Sequence, residues 1–465
     1  MVKVADLPQS RKPFRFFNFW ADHPSFLPLV QEVWREEVRG SPMFQLCTKL
    51  KSLKRKLKEL NNLHFSDIQG RVMQAKARMD SLQRQIQDNP TDPYLCAEEV
   101  VAVKNYGDLC RAEESFLRQK SRVQWLNLGD QNTEFFFRMV KSRQGRNKIV
   151  SIVKEDGSRV DNPTEIKDEI VRFFQNLLSS TPRPTPIDMD LLDRVMTRKV
   201  STSQCFDLVK EVSDEEIKEV FFSLKDNKSP GLDGFNALFF KRAWCIVGQD
   251  VIKAIKSFFQ SGRLLKELNT TAIALIPKIP NPDKLKDFRP ISCCNTVYKC
   301  IAKIMANRLK VVLPNLVGPQ QTAFIQGRMI GDNVLLVQDL LRNYHRNTGT
   351  PRCALKVDLM KAYDTVRWDF IRGVLKASGF PEAFVQWIME CVTTTSFSIS
   401  INGELKGFFQ GGRALRQGDP LSPYLFVLVM EAFSGLMNDM IQQGHFKYHW
   451  RCQKLKISHL CFADD

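Results

Sequence analysis

Residues 353–359 read CALKVDL, and residues 462–465 read FADD. The first stretch alternates apolar and polar side chains, which predicts a half-buried strand with Asp358 near its end. The second places Asp464 and Asp465 at the end of another predicted strand, residues 457–463. If the two strands meet, three carboxylates share one place, and hard cations such as Mg²⁺ take such oxygen ligands. An Asp-Asp pair alone is more often a solvated turn, so the intervening sequence decides between the two interpretations.

Composition favours an anionic polymer as partner. The chain has 465 residues, with 68 Lys and Arg against 51 Asp and Glu, which gives a net charge of +17. The excess is uneven, because residues 262–310 hold ten basic and three acidic side chains. Mild basicity is also common in soluble proteins, but this clustering favours nucleic acid, with binding that weakens as salt rises.

Other classes of protein find no support in the sequence. The twelve cysteines are scattered without a Cys-x-x-Cys pair, and the histidines carry no zinc signature. There is no secretory signal, and no uninterrupted apolar run approaches the length of a membrane span. We therefore expect an intracellular protein that does not associate with membranes.

The N-terminal part is predicted to be mainly helical. Residues 1–45 are rich in aromatic side chains and need a packing surface. Residues 46–90 carry two heptad seams, interrupted at Asn61-Asn62 and restarted after Ser66 as N-cap, which predicts an antiparallel helical hairpin. Residues 91–178 continue as a helical connector with a small β-hairpin, and the proline-rich residues 179–200 are predicted to be a linker between domains.

Two segments carry features suited to phosphate. The turn at residues 227–235 has exposed backbone amides near Gly231 with Lys228 alongside, although a plain surface turn is the commoner meaning. Residues 271–277 and 288–292 predict a hairpin that points Lys278 and Arg289 into one space. The guanidinium fork of arginine suits phosphate oxygens, so the hairpin is a candidate triphosphate site.

Two further segments follow Asp358. Tyr363 begins a predicted helix, where its ring suits the floor beneath a nucleotide sugar or, as the plainer alternative, a core position. In residues 415–423, LRQGDPLSP, Gly418 permits close approach of a ligand to the backbone and Gln417 can both donate and accept hydrogen bonds. Ser422 as N-cap, with Pro423 at the first helical position, predicts the start of a helix.

Taken in order, these segments resemble a reverse transcriptase of a LINE-type, non-LTR retrotransposon, with the plant lineage as the most similar group. The resemblance covers nearly the whole chain. It rests on WLNLGDQNT at 125–133, on the turn at 228–235, and on RPIS at 289–292, the region 358–364, RQGDPLSP at 416–423 and FADD at 462–465. It implies an α+β fold with the fingers (201–352) and partial palm (353–465) of a right-hand polymerase. The reverse transcriptase core would span about 262–465, with a ferredoxin-like antiparallel sheet.

The resemblance also implies roles for single residues. Asp358, Asp464 and Asp465, with the Leu359 carbonyl, would bind two Mg²⁺ ions, or Mn²⁺ in their place. The nucleotide would be bound by Lys278, Arg289, Leu359, Tyr363, Gln417 and Gly418, with Tyr363 excluding a ribose 2′-hydroxyl. Lys228 and Gly231 would contact the template.

The implied partners are an RNA template, a DNA primer and deoxynucleoside triphosphates, in the nucleus and cytoplasm by analogy with the family. The chain lacks the endonuclease and thumb of full elements, so we expect a fragment truncated at both ends. Two alternatives stay open. One is a catalytically inactive, basic RNA-binding remnant. The other is a maturase-like or telomerase-like polymerase, against which the connector at 125–133 argues.

Overall fold

The structure is a computed structural model that describes residues 13–121, 133–179, 185–342, 344 and 354–464. The described residues divide by packing into two units. The first lies within Met1–Val150 and Leu224–Ala254, and the second within Ser151–Ser223 and Ile255–Asp465. No division falls between residues 179 and 200, where the sequence predicts a linker. Residues 180–184 of that segment and the connector residues 125–132 lie outside the described residues.

The chain is mainly helical with short strands, an α+β fold. Before residue 151 the helices are a 3-10 turn at Asn18–Asp22, α1 Phe26–Trp34, α2 Pro42–His64, α3 Ile68–Asp88, α4 Pro93–Ser121 and α5 Thr133–Asn147. They are followed by β1 Ile152–Val153, β2 Arg159–Val160, α6 Pro163–Ser179, α7 Met189–Val195, α8 Thr202–Val209, α9 Asp214–Ser223, α10 Ala237–Arg242 and α11 Trp244–Ser261. The remaining elements are β3 Thr270–Pro277, a 3-10 turn at Leu285–Asp287, β4 Phe288–Cys294, α12 Thr296–Leu316, α13 Ile330–Leu341, α14 Ala362–Thr365, α15 Trp368–Ala377, α16 Glu382–Thr393, β5 Ser396–Ile401, β6 Glu404–Gln410 and α17 Ser422–Gln442.

In the first unit the aromatic segment has the packing surface that its composition requires. Phe16 is buried, with its ring 5.4 Å from that of Phe239 and 6.4 Å from that of Phe235. The Phe16 N–H also donates to the Gly234 carbonyl at 2.9 Å. The N-terminal aromatic residues and the 224–254 segment therefore share one core.

The predicted helical hairpin is partly wrong. The leucine seam of α2 is buried, as a heptad predicts, but α2 continues through Asn61 to His64. The next helix is capped by Asp67, not by Ser66, and Asp67 takes a left-handed φ of +48° while its carboxylate accepts the Gly70 N–H. Helix α3 packs mainly against α4, whereas α2 packs against α1. Periodicity identified the apolar faces, but it could not say which helix covers each one.

The second unit is built around a four-stranded sheet in the order β4-β3-β5-β6. The β3–β4 and β5–β6 pairs are antiparallel, while β3 and β5 are parallel, so the sheet is mixed rather than antiparallel as predicted. The predicted hairpins at 148–160 and 271–292 are both present. On β3 every second residue, including Ile273 and Leu275, is buried. This alternation leaves the other face of the hairpin partly open.

Two predicted strands are absent from the part of the chain that the structure describes. Residues 354–359 are exposed and irregular, so Asp358 does not end a strand. Residues 457–463 are likewise irregular apart from one isolated bridge, between Cys461 and Gln321. An alternating pattern specifies two faces, but a strand also needs a neighbour for its N–H and C=O groups. The described residues provide no such neighbour for 354–359.

Helix α17 begins one residue earlier than predicted. Ser422 is its first residue and Leu421 stands at the N-cap position, without a side-chain cap. Within the described part of the chain, α17 is long enough and apolar enough on average to cross a membrane, although its apolar run is interrupted. Its buried side chains, Leu425, Phe426 and Leu428 among them, belong to the core, and the helix contacts α7, α12 and α15. These contacts attach α17 to the second unit through its buried face.

Candidate active site

The β3–β4 hairpin places two cations on its open face. Ile276 pairs with Arg289 in the ladder, and the Lys278 N–H donates to the Asp287 carbonyl at 2.8 Å. Because cross-strand partners and every second residue share a face, Lys278 and Arg289 lie on the same side of the hairpin. Both side chains are exposed. The Lys278 ammonium donates to the carbonyl of Lys286 at 2.9 Å, which holds it over the end of the hairpin.

The loop at residues 416–419 lies against strand β4. The Ser292 N–H donates to the Gln417 carbonyl at 2.7 Å. Gly418 follows with a φ of +108°, a conformation that residues with a Cβ rarely adopt. A Cβ at this position would stand 3.1 Å from the Ser292 carbonyl oxygen, which is a tight contact, so the dihedral favours glycine and the close approach adds to that preference.

A buried charge network holds this loop in place. Arg416 and Asp419 form an ion pair at 2.8 Å, with side chains 5% and 4% exposed. The Tyr298 hydroxyl donates to Asp419 at 2.6 Å, and the Arg416 guanidinium lies 4.1 Å from the centre of the Tyr298 ring. Burial raises the pKa of Tyr298 well above its ordinary value, so its hydroxyl stays protonated and remains a donor.

The same network ties the loop to strand β3 and helix α16. Arg416 donates to Asn269 Oδ1 at 2.8 Å, to Thr271 Oγ1 at 3.1 Å and to the Cys391 carbonyl at 3.2 Å. On the other side of the loop, the Asp419 carboxylate accepts the Leu421 N–H at 2.9 Å. Gln417 and Gly418 are therefore held between two anchored residues.

Asp364 orients the side chain of Gln417. The Gln417 amide donates from Nε2 to Asp364 Oδ1 at 2.9 Å, and Asp364 is only 6% exposed. Burial raises the pKa of the Asp364 carboxyl, while the bond from Gln417 and the positive charge of Lys278 act in the opposite direction. The Gln417 carbonyl also accepts the Ser292 N–H, so Gln417 connects Asp364 to the hairpin that carries Lys278 and Arg289.

Tyr363 and Asp464 belong to the same neighbourhood. The Tyr363 ring stacks on Phe426 with centroids 4.4 Å apart and planes at 14°, and its carbonyl accepts the Leu415 N–H at 2.8 Å. Burial, with a contribution from the negative charge of Asp464, raises the pKa of Tyr363 to about 12. The ring is thus fixed, its hydroxyl is protonated at neutral pH, and an acidic side chain is close by.

The structure does not assemble the whole predicted site. Asp358 and Leu359 lie in the exposed, irregular segment, and Asp465 lies outside the described residues. Among the residues that are described, no three His, Cys, Asp or Glu side chains are grouped so as to hold a metal ion. Lys228 and Gly231 belong to the first unit, in a turn where the Gly234 N–H donates to the Gly231 carbonyl at 3.2 Å. The roles assigned to these residues stay predictions.

Sequence reasoning missed the residues that support the site. Asp364 was visible only as the residue after Tyr363, and Tyr298 only as an aromatic residue of a helix. One local feature could have pointed to Arg416 and Asp419. They carry opposite charges, stand three residues apart and enclose a glycine in a loop, which is compatible with an ion pair. No local pattern connected them to Tyr298, which is 121 residues away from Asp419.

The second unit also contains a segment with recognisable relatives. Residues 276–465 match the family described as reverse transcriptase (RNA-dependent DNA polymerase). That range contains the hairpin cations, Tyr363, the Gln417 loop and the acidic C-terminal residues. Residues 276–465 are therefore similar to a reverse transcriptase domain.

Relatives indicate which kind of element the domain comes from. The chain is 33% identical over 329 residues to the transposon TX1 uncharacterized 149 kDa protein of Xenopus laevis. The aligned region covers 70% of this chain and 25% of that protein. It is 28% identical over 220 residues to the retrovirus-related Pol polyprotein from type-2 retrotransposable element R2DM of Drosophila melanogaster, over 47% of this chain and 20% of that protein. An uncharacterized mitochondrial protein of Arabidopsis thaliana is 47% identical over 66 residues, 14% of this chain and 54% of that protein.

These relatives confirm the resemblance to reverse transcriptases of LINE-type retrotransposons. The family that residues 276–465 match is described as an RNA-dependent DNA polymerase, so this segment is similar to an enzyme domain. The chain spans about a quarter of the length of the Xenopus relative and a fifth of that of the Drosophila relative. The special likeness to plant elements stays a prediction.

Proposed function

We propose that this chain performs RNA-directed DNA synthesis, adding deoxynucleotides to the 3′-hydroxyl of a primer on an RNA template. The observation that carries the proposal is a set of contacts within the segment that matches reverse transcriptases. The Gln417 carbonyl accepts the Ser292 N–H of strand β4, and the Gln417 amide donates to Asp364. The Tyr363 carbonyl accepts the Leu415 N–H. A cation, an amide-bearing glycine loop and a fixed aromatic ring together suit the phosphates, base and sugar of a nucleotide. The acidic charge of Asp464 lies beside that ring.

In this proposal the residues bind and orient the substrate. Lys278 and Arg289 contact the triphosphate oxygens, and Arg289 can do so with two parallel hydrogen bonds. Gly418 lets the nucleotide approach the loop backbone, while Asp364 fixes the amide of Gln417. The ring of Tyr363, immobilised on Phe426, closes the space that a ribose 2′-hydroxyl would need.

The reaction joins the primer 3′-oxygen to the α-phosphorus of the nucleotide and breaks the bond to pyrophosphate. Carboxylate and carbonyl oxygens are the ligands that Mg²⁺ prefers, so Asp358, the Leu359 carbonyl, Asp464 and Asp465 suit divalent cations by their chemistry. Two such ions, Mg²⁺ or Mn²⁺, would lower the pKa of the 3′-hydroxyl and stabilise the leaving pyrophosphate.

A primer-extension assay on an RNA template with Mg²⁺ tests the proposal. Asp358→Ala is expected to abolish synthesis, because it removes a metal ligand. The matched control is Asp168→Ala, which removes an exposed carboxylate from α6, outside the site. Equal synthesis by wild type and Asp358→Ala would refute the assignment of Asp358, and absence of synthesis by the wild type would refute the activity of this chain.

A second candidate is RNA binding without synthesis. It is favoured by one observation, the exposure of Asp358 in a segment that forms no strand. A catalytic acid needs a rigid support, so an unsupported Asp358 suits a protein that binds nucleic acid through its +17 charge alone. RNA binding by the wild type that is sensitive to salt, combined with no primer extension, would select this alternative.

A further inference from the structure

The turn that carries Asp464 has an unusual backbone. Ala463 has a φ of +58°, in the left-handed region that alanine seldom occupies. Such a conformation costs free energy and persists only when surrounding contacts hold it. Ala463 and Cys461 are both buried, so these contacts come from the protein itself.

The side chain of Gln321 supplies the principal contacts. Its Nε2 donates to the Ala463 carbonyl at 3.2 Å, and its Oε1 accepts the Ala463 N–H at 2.9 Å. The same Oε1 accepts the Ala323 N–H at 3.0 Å, and Gln321 itself is 2% exposed. The side-chain amide of Gln321 therefore bonds both the N–H and the C=O of Ala463. The Ala323 N–H in turn fixes the position of that amide.

The flanking residues extend this attachment. The Cys461 N–H donates to the Gln320 carbonyl at 2.9 Å, and the Thr322 N–H donates to the Cys461 carbonyl at 3.2 Å. Asn333 Nδ2 donates to the same Cys461 carbonyl at 2.9 Å. Residues 461–463 are thus attached along the 320–323 segment, and Asp464 follows directly.

We propose that Gln321 is a positioning residue, which fixes the backbone of Ala463 and so sets where the Asp464 carboxylate stands relative to Tyr363. The inference rests on the proposed function, because the placement of Asp464 matters for nucleotide addition. Two hydrogen bonds to opposite sides of one residue restrict rotation about both of its backbone dihedrals. A single bond would leave one of them free.

The chemistry of the side chain gives graded variants. Gln321→Met keeps the length and the apolar stem but removes all three hydrogen bonds. Gln321→Glu keeps the two acceptor contacts, lacks the donor to the Ala463 carbonyl, and places a negative charge beside it. Ser398→Val is the matched control, since it removes one part-buried hydrogen bond elsewhere in the second unit, from Ser398 Oγ to the Gly407 carbonyl at 2.8 Å.

Hydrogen exchange of the full-length chain tests the attachment without relying on activity. Gln321→Met is expected to speed exchange of the amides in 461–463 by roughly tenfold, while Ser398→Val leaves them unchanged. Unchanged exchange in Gln321→Met would overturn the proposal. If circular dichroism shows that Gln321→Met does not fold, Gln321→Glu serves the same measurement, with faster exchange expected and equal exchange overturning the proposal.

Primer extension then tests the positioning role. Gln321→Met is expected to lower kcat by about tenfold or more while KM for the deoxynucleotide stays within about twofold, because binding by the hairpin and the Gln417 loop is untouched. Equal kcat in an active wild type and Gln321→Met would overturn the positioning role and leave the proposed function standing. An inactive wild type would overturn both, whatever the exchange data show about the attachment.

Discussion

Replacing Asp419 by asparagine tests the buried network that holds the Gln417 loop. Asparagine keeps one oxygen, which can still accept the Leu421 N–H, but its NH2 group replaces the oxygen that accepts the Tyr298 hydroxyl and pairs with Arg416. The change therefore removes the negative charge and the acceptor for Tyr298. The Arg416 guanidinium would then remain buried, 5% exposed, without its counter-ion. Removing one partner of a buried ion pair typically costs about 3–5 kcal/mol, because the remaining charge is uncompensated. Total stabilities of domains are about 5–15 kcal/mol, so the loss should be large.

The magnitude follows from how completely the pair is shielded. An exposed ion pair contributes about 0–1 kcal/mol, because water and salt screen it. Here both side chains are buried, and Arg416 also satisfies Asn269, Thr271 and the Cys391 carbonyl. Asp419→Asn leaves those three bonds possible but also removes the acceptor for the Tyr298 hydroxyl, so the expected loss stays within that range.

Urea unfolding measures the effect, with hydrogen exchange in α12 and α17 as the report on the second unit. The double variant Arg416→Met with Asp419→Asn removes both charges and completes a mutant cycle. We expect a coupling of about 1–3 kcal/mol, with the double variant less destabilised than the sum of the single ones. A loss below about 1 kcal/mol for Asp419→Asn, the value of an exposed pair, would refute the reasoning.

Three further predictions concern the sugar, the pH and the salt. Tyr363→Ala should admit ribonucleotides more readily, by about tenfold in the ratio of kcat/KM values, and unchanged discrimination would contradict the role of the ring. Burial raises the pKa of Glu431, so the folded protein holds this proton more tightly than the unfolded chain and loses stability as pH rises from the unfolded to the folded pKa. Glu431→Gln, which keeps an acceptor for the Gly318 N–H, should therefore raise Tm more at pH 8 than at pH 4, as a thermal melt would show, and an equal change would exclude this cause. RNA affinity should fall about a hundredfold between about 50 and 200 mM salt if about five phosphates are contacted, whereas a flat response would exclude electrostatic binding.

The β3–β4 hairpin and its cations could be predicted because their determinants are local. The alternation in residues 270–277 separates two faces, the polar residues after Pro277 require a turn, and Phe288 resumes the pattern. Successive side chains of a strand point to opposite faces. Once the register is set, the positions of Lys278 and Arg289 along their strands therefore decide the face on which they lie. The leucine seam of α2 is equally local, since a period of seven residues is enough to define its buried face.

The supporting residues could not be predicted, because their partners lie far away along the chain. Gln321 is 142 residues from Ala463, and Arg416 is 147 residues from Asn269. A buried glutamine and a buried arginine have no local signature, since their cost is offset only by groups that the fold brings to them. The residues predicted to touch the substrate were therefore easier to find than the residues that hold them.

The strand prediction at 354–359 was wrong for the opposite reason: its local pattern is strong, but no distant segment pairs with it among the described residues. Its alternating residues would suit a half-buried strand, yet Leu355 is 86% exposed and Val357 is 63% exposed. An apolar side chain gains from burial about 25 cal/mol for each Å² covered, and a strand gains its hydrogen bonds only from a neighbour. Among the described residues neither gain is available to this segment, whereas the turn before Asp464 has both through Gln321 and its neighbours. Asp358 and Asp464 thus differ in support. In the proposed reaction, Asp358 would need a stabilising contact, such as bound metal or nucleic acid, before it could act with Asp464.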